Sequence, residues 1–168
     1  MDPQRFDERY GPWAVVAGAS EGLGAAFASE LASRKLDLVL VARRPEFLEA
    51  TAGEVRQRHG VRVRTVAADL GSQAGVAAIR RETAGLAVGL LVYNAAASYT
   101  GPFLAMEPGQ GDEIVDVNCR GLLQLCSHYT PAMVERGRGG ILIMTSAAGL
   151  AGAGYGAVYS ASKAFDLA

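Results

Sequence analysis

Short apolar runs alternate along this chain with stretches whose apolar positions recur every three or four residues. The runs are "WAVVAGA" (13–19), "LDLVLVAR" (36–43), "VRVRTVAADL" (61–70), "VGLLVYNAA" (88–96) and "GGILIMTSAAG" (139–149). Each has the length and β-branched content of a strand. Between the first two, Leu23, Phe27 and Leu31 fall four apart and predict a helix over 21–35. The segment 45–60 opens with proline and closes with glycine, the asymmetry of a helix. A weaker helical pattern covers 72–85, and a long one covers 111–137, with a kink expected near Pro131. Another helix begins at about Ala157. Strands that are apolar throughout, rather than on alternate positions, are buried on both faces. They therefore belong to a parallel sheet covered by helices on each side. No repeat, low-complexity segment or linker interrupts the pattern, so residues 1–168 read as a single domain.

Composition adds little that contradicts this. The chain has 168 residues, half of them apolar, enough for one domain with its own core. Glycine stands out, with 21 residues, nearly twice the usual ~7%. Without a repeat, that excess points to tight turns and close backbone approaches. The net charge of −1, with no basic cluster carrying interleaved aromatics, gives no sign of nucleic-acid binding. Cys119 and Cys126 lie seven apart in the long helix and suggest neither a disulfide framework nor a zinc site. Packed thiols in a reducing compartment are the simpler reading, and no metal site is expected. The start, "MDPQRFDERYGP", is too polar for a secretory leader. No apolar run reaches the ~18 residues of a membrane span. A cytoplasmic protein is the expectation.

The first strand runs into "AGASEGLG" (17–24), with Gly18, Gly22 and Gly24 at a strand-to-helix turn. Glycine allows a sharp turn and lets a diphosphate approach the backbone, while the following helix start offers unpaired N–H groups. A turn that binds nothing is the plain alternative, but the placement is the one a dinucleotide motif requires. At the end of the second strand, sites for NAD usually carry an acid that holds the ribose 2′-hydroxyl. This chain has Ala42, then Arg43 and Arg44. An arginine fork binds a 2′-phosphate that a carboxylate would repel, so NADP(H) is expected over NAD(H). Solvated surface arginines are the competing reading.

Tyr159 and Lys163, in "YSASK", are four apart and share a helix face. A phenol ordinarily ionises near pH 10, so proton exchange near neutrality needs about 4 kcal/mol of help. An ammonium ~4 Å away supplies about that at an effective dielectric of 20. Alone, the pair is weak evidence, because any helix surface can carry it. Ser146 ends the fifth strand in "TSAAG", where strand ends face a ligand crevice. Asn94 closes the fourth strand and Asn118 opens the long helix; each is also a plausible structural hydrogen bonder.

Taken together, "AGASEGLG", "ADL" with Asp69, "YNAA" with Asn94, "VNCRG" with Asn118, "TSAAG" with Ser146 and "YSASK" resemble the short-chain dehydrogenases/reductases. They appear in that family's order and spacing from residue 13 onward, with the glycine spacing of its compact branch. The resemblance implies a Rossmann-type doubly wound α/β sheet, of which five strands in the order 3-2-1-4-5 are present. It implies hydride transfer between NADP(H) and a small carbonyl or secondary alcohol. Tyr159 would be the general acid, Lys163 would lower its pKa and hold the nicotinamide ribose, Ser146 would bond the substrate oxygen, and Asn118 would anchor a relay water. Gly18, Ser20, Gly22 and Gly24 would line the diphosphate, with Leu23, Leu70, Ala95 and Ala96 beside the cofactor. Asp69 would meet the adenine, and Asn94 would brace the central strand. The chain departs from the family at Ala17, where a threonine is common, and at Ala96, where glycine is usual. His59 and His128 match no family role.

Members of the family continue past the tyrosine helix through further strands, a substrate-covering segment and oligomer contacts. The expectation is an N-terminal part of a longer, homo-oligomeric enzyme. As written, it would be poorly active and would carry an exposed fifth strand. Two other readings stay open: a non-catalytic nucleotide sensor on this fold, which would need none of Asn118, Ser146, Tyr159 and Lys163, and an S-adenosylmethionine methyltransferase, which would want an acid after the second strand.

Overall fold

A computed structural model describes residues 3–168. Met1 and Asp2, which begin the stretch judged too polar for a leader, lie outside the described residues. Five strands form one parallel sheet: β1 (Trp13–Ala17), β2 (Asp37–Ala42), β3 (Val63–Ala67), β4 (Val88–Tyr93) and β5 (Gly140–Ile143). Their order is β3-β2-β1-β4-β5, as the family resemblance implies. Helices α2 (Gly22–Ser33), α3 (Pro45–His59), α4 (Gln73–Glu82), α5 (Gln110–Val115), α6 (Leu122–Glu135) and α7 (Ala157–Phe165) fill the connections.

Every residue of β1 is buried, and successive side chains enter opposite cores. Val15 and Ala17 join Val39, Leu91 and the inward faces of α4 and α6, through Ile79, Leu125 and Tyr129. Ala14 and Val16 join Leu38, Leu40 and the faces of α2 and α3, through Leu31, Leu48 and Val55. Burial on both sides is what the unbroken apolar runs predict. The strands are shorter than the runs because the runs continue into the loops that carry the site. α3 stops where Gly60 takes a left-handed conformation (φ 68°) and its N–H reaches the Arg56 carbonyl.

Two features differ from the expectation. A helix, α1 (Pro3–Tyr10), precedes β1. Its Phe6 and Tyr10, four apart, pack against the α2/α3 core, a stripe too short to stand out in a charged segment. The long helix predicted over 111–137 is instead broken by a π turn at Asp116–Gly121, not marked at Pro131. Its cause is Tyr93 at the end of β4, whose buried hydroxyl donates to the Val117 carbonyl at 2.5 Å. A side chain bonded into the helical ladder widens the turn. Pro131 sits inside α6, and the carbonyl it leaves without a partner belongs to exposed Ser127.

β5 pairs with β4 alone, and Ile141, Leu142 and Ile143 are 38%, 36% and 36% exposed. Among the described residues no helix is long and apolar enough to cross a membrane. The contrast between core and edge predicts two stabilities. Leu40→Ala, fully buried, lowers the unfolding free energy by about 2–5 kcal/mol, whereas Leu142→Thr changes it by less than about 1 kcal/mol. Urea titration of both variants checks this.

Candidate active site

The strand order reverses between β1 and β4, and a crevice opens there at the carboxyl ends of the strands. The glycine loop follows β1. The Val41 carbonyl accepts from Gly18 N and Ala19 N at 2.8 and 3.0 Å, and the Ala17 carbonyl accepts from Asn94 N and Ala95 N at 2.9 Å each. The Asn94 side-chain amide donates to the Gly18 carbonyl at 3.0 Å. Gly18 has φ +85°, and a Cβ there would meet the Ala95 backbone at 2.7 Å. At Gly24 a Cβ would lie 1.9 Å from the Gly18 carbonyl oxygen. Helix α2 starts at Gly22 without a side-chain cap, which leaves its first N–H groups without a side-chain partner.

The crevice has a volume of about 750 Å³. It is lined by the predicted Gly18, Ser20, Arg43, Arg44, Asp69, Leu70, Asn94, Ala95 and Ala96. Gly22, Leu23 and Gly24 do not line it; Gly24 acts through close packing and Leu23 is exposed. A backbone cradle with no room for side chains, next to a free helix start, fits the diphosphate of a dinucleotide. Asp69 also orders its own loop, its carboxylate accepting from Gly71 N at 3.0 Å.

The two arginines are not free. Arg43 pairs with Glu113 of α5 at 3.0 Å, and Arg44 pairs with Glu21 of the glycine loop at 2.5 Å while stacking over Phe47. All four charged side chains are about half exposed or more, so each pair is weak and an incoming anion competes with a carboxylate already in place. Neither Glu21 nor Glu113 was singled out by the sequence pattern.

Tyr159 is half-buried and lines a second cavity of about 380 Å³ with Ser98, Tyr99, Ala148, Tyr155 and Gly156. Ala96 lines both cavities. The π turn places Asn118, buried, beside the loop that carries Ala96. Its side chain donates to the Ala97 carbonyl at 2.9 Å and to Ser162 Oγ at 2.8 Å, and accepts from Ala97 N at 2.8 Å. Ser162 in turn donates to the Tyr159 carbonyl at 2.8 Å. Asn118 thereby clamps the loop after β4 to the tyrosine helix. Ser146 caps the short 3-10 turn Ala147–Gly149, accepting from Ala148 N at 3.2 Å.

Lys163 is 3% exposed. Its ammonium donates to the Met144 carbonyl of the segment after β5 and to Asp166 Oδ2, both at 2.8 Å, and lies 6.0 Å from the Tyr159 ring centre. The four-residue spacing does bring the two side chains near one another, and a buried carboxylate, Asp166, shares the ammonium's charge. Asp166, Ser162 and Ala97 were missed by the motif reading. Only Asp166 left a signal, three residues after Lys163 on one helix face.

Burial, followed by the nearby Asp166 charge, pushes the ionisation of Tyr93 far up and that of Cys119 up. Both stay neutral at physiological pH, which suits a hydroxyl that must keep donating to Val117. If Asn118 is the clamp described, Asn118→Ala leaves both polar groups of Ala97 unpaired. It should lower stability by about 1–3 kcal/mol, more than Ser162→Ala, as read from urea midpoints.

The comparisons with known proteins agree with this geometry. The model of the short chain dehydrogenase family matches residues 12–166. A very-long-chain 3-oxoacyl-CoA reductase from Anas platyrhynchos is 37% identical over 160 residues, covering 92% of this chain and 51% of the relative. A solved 7beta-hydroxysteroid dehydrogenase superposes with a TM-score of 0.93 at 30% identity, covering 96% of this chain and 64% of that one. A short-chain dehydrogenase from Sphingobium yanoikuyae in complex with NADPH gives a TM-score of 0.87 at 34% identity, covering 92% and 61%. The chain spans about half the length of the curated relatives it matches. With the family model matched over most of its length, the chain belongs to the short-chain dehydrogenases.

Proposed function

We propose that this chain supplies the cofactor cleft and the proton-handling residues of an NADP(H)-dependent reductase acting on a carbonyl or secondary alcohol. The observation that carries the reading is that Ala96 stands in the walls of both the crevice at the switch point, about 750 Å³, and a smaller cavity lined by Tyr159. A nicotinamide cofactor would be held by the Gly18–Gly24 loop, Asp69, Asn94 and the α2 start, and it supplies the hydride.

The chain's own residues manage the rest. Tyr159 gives a proton to the carbonyl oxygen during reduction and takes it back in the reverse direction. Ser146, at the end of the β5 segment, bonds that oxygen as charge grows on it. Asn118 keeps the tyrosine helix against the loop after β4, and its backbone site is where a relay water is proposed. Lys163 holds the nicotinamide ribose with the donor left after Met144 and Asp166 take two of its three. The walls around Tyr159 include Ala96, Ala148, Ala153 and two further tyrosines. They suit a substrate with an apolar body, in keeping with the acyl and steroid compounds in the relatives' names.

Arg43 and Arg44 support NADP(H) over NAD(H), since a dianionic 2′-phosphate is a stronger partner for each guanidinium than one exposed carboxylate. NADPH complexes among the structural neighbours point the same way.

Fluorescence titration with NADPH and NADH tests the cofactor reading. Arg43→Glu should weaken NADPH by about tenfold or more, the worth of a charged hydrogen bond, and leave NADH nearly unchanged; equal losses would remove the preference. Tyr159→Phe should lower carbonyl reduction by about 10²–10⁴-fold with NADPH affinity kept. NADPH binding by a protein whose reduction rate ignores Tyr159 would favour the sensor reading instead.

A further inference from the structure

Asp166 has no part in the roles above, yet its carboxylate is among the most secluded charges in the molecule. The Lys163 and Asp166 side chains are 4% and 1% exposed, with Nζ and Oδ2 2.8 Å apart. An ion removed from water costs several kcal/mol, so a merely decorative pair would sit at the surface. The second oxygen, Asp166 Oδ1, is buried with no hydrogen-bond partner. The carboxylate is thus poorly satisfied for its own sake, and its one ionic contact is the lysine.

We propose that Asp166 is the positioning residue for Lys163, holding the ammonium in one direction toward the cofactor ribose. The inference rests on the reading of Lys163 given under the proposed function. A lysine head is a compact charge on a flexible stem, and a working site needs it fixed to within about 0.5 Å. Two acceptors on different elements do this, the Met144 carbonyl from the segment after β5 and Asp166 from α7. Thr145 Oγ1, donating to the Lys163 carbonyl at 2.9 Å, pins the same helix turn to that segment. One ammonium donor remains for a ligand. With Asp166 neutral, the buried ammonium would have a single carbonyl and no counter-charge.

The other ionisable groups around the pair are Tyr93 from β4, Cys119 from the π turn and Tyr159 on α7 itself. Burial and the Asp166 charge keep Tyr93 and Cys119 neutral. Of the acids on the elements packed against α7, Asp112 and Glu113 of α5 are exposed, and Asp116 of the π turn, half-buried, pairs with Arg120 at 2.6 Å.

The experiment is NADPH titration of the 168-residue chain and its variants, with folding checked by circular dichroism. Asp166→Asn keeps the shape and removes the charge. It should weaken NADPH by about tenfold, the coupling expected inside one network. In a Lys163→Met background the same substitution should change affinity by less than about twofold. Asp166→Glu restores the charge on a longer arm and should recover part of the loss. If Asp166→Asn fails to fold, Asp166→Glu decides: weakened NADPH with an unchanged melting temperature supports the positioning role, and wild-type affinity overturns it. Wild-type affinity for Asp166→Asn, or an equal loss in both backgrounds, also overturns it. If Lys163→Met binds NADPH as tightly as the wild type, the reading of Lys163 fails and takes this inference with it.

Discussion

One carbonyl at the end of the central strand holds the two loops that make the crevice. The oxygen of Ala17 accepts from both Asn94 N and Ala95 N, and the Asn94 amide grips the next carbonyl, that of Gly18. Those bonds bring the loop after β1 and the loop after β4 to van der Waals distance, and only then does the absence of a side chain at Gly18 and Gly24 matter. Departures from the family pattern at Ala17 and Ala96 leave this arrangement standing, since it is made by backbone groups and by Asn94. The crevice is in this sense a property of the sheet, and the chemistry is added at its rim.

Much of the fold was legible because the apolar runs in β1, β2 and β4 have no second period to confuse them. They are buried on both faces and read as strands wherever they occur. The glycine loop, Asn94, Asn118, Ser146, Tyr159 and Lys163 were legible as spaced motifs. What escaped were contacts between residues far apart in the chain. Nothing near Asn118 announces that Ala97 and Ser162 will take its hydrogen bonds, and nothing in the 111–137 pattern announces that Tyr93 will reach across to Val117. Helix α1 escaped for a different reason, its apolar stripe being two residues long.

The site's cations share a property that no motif contains. Arg43, Arg44 and Lys163 each have a carboxylate partner: Glu113, Glu21 and Asp166. The first two pairs are at the solvent rim, where ions exchange partners at little cost. The third is sealed in, where the partner has to stay. The same electrostatic theme therefore gives an exchangeable pairing at the crevice rim and a permanent one beside Tyr159.

The wide turn at Asp116–Gly121 turns the chain's length into a reading frame. Val117 and Leu122, five apart, are both buried across it. Removing one residue there would restore an ordinary turn and swing the downstream helix by ~100°, carrying Leu125, Tyr129 and Met133 away from the sheet together. An insertion or deletion in this short stretch is thus a frameshift in three dimensions, whereas the same change in the exposed loop around Gly109 alters only local slack. The hydroxyl of Tyr93 keeps that frame from the end of β4.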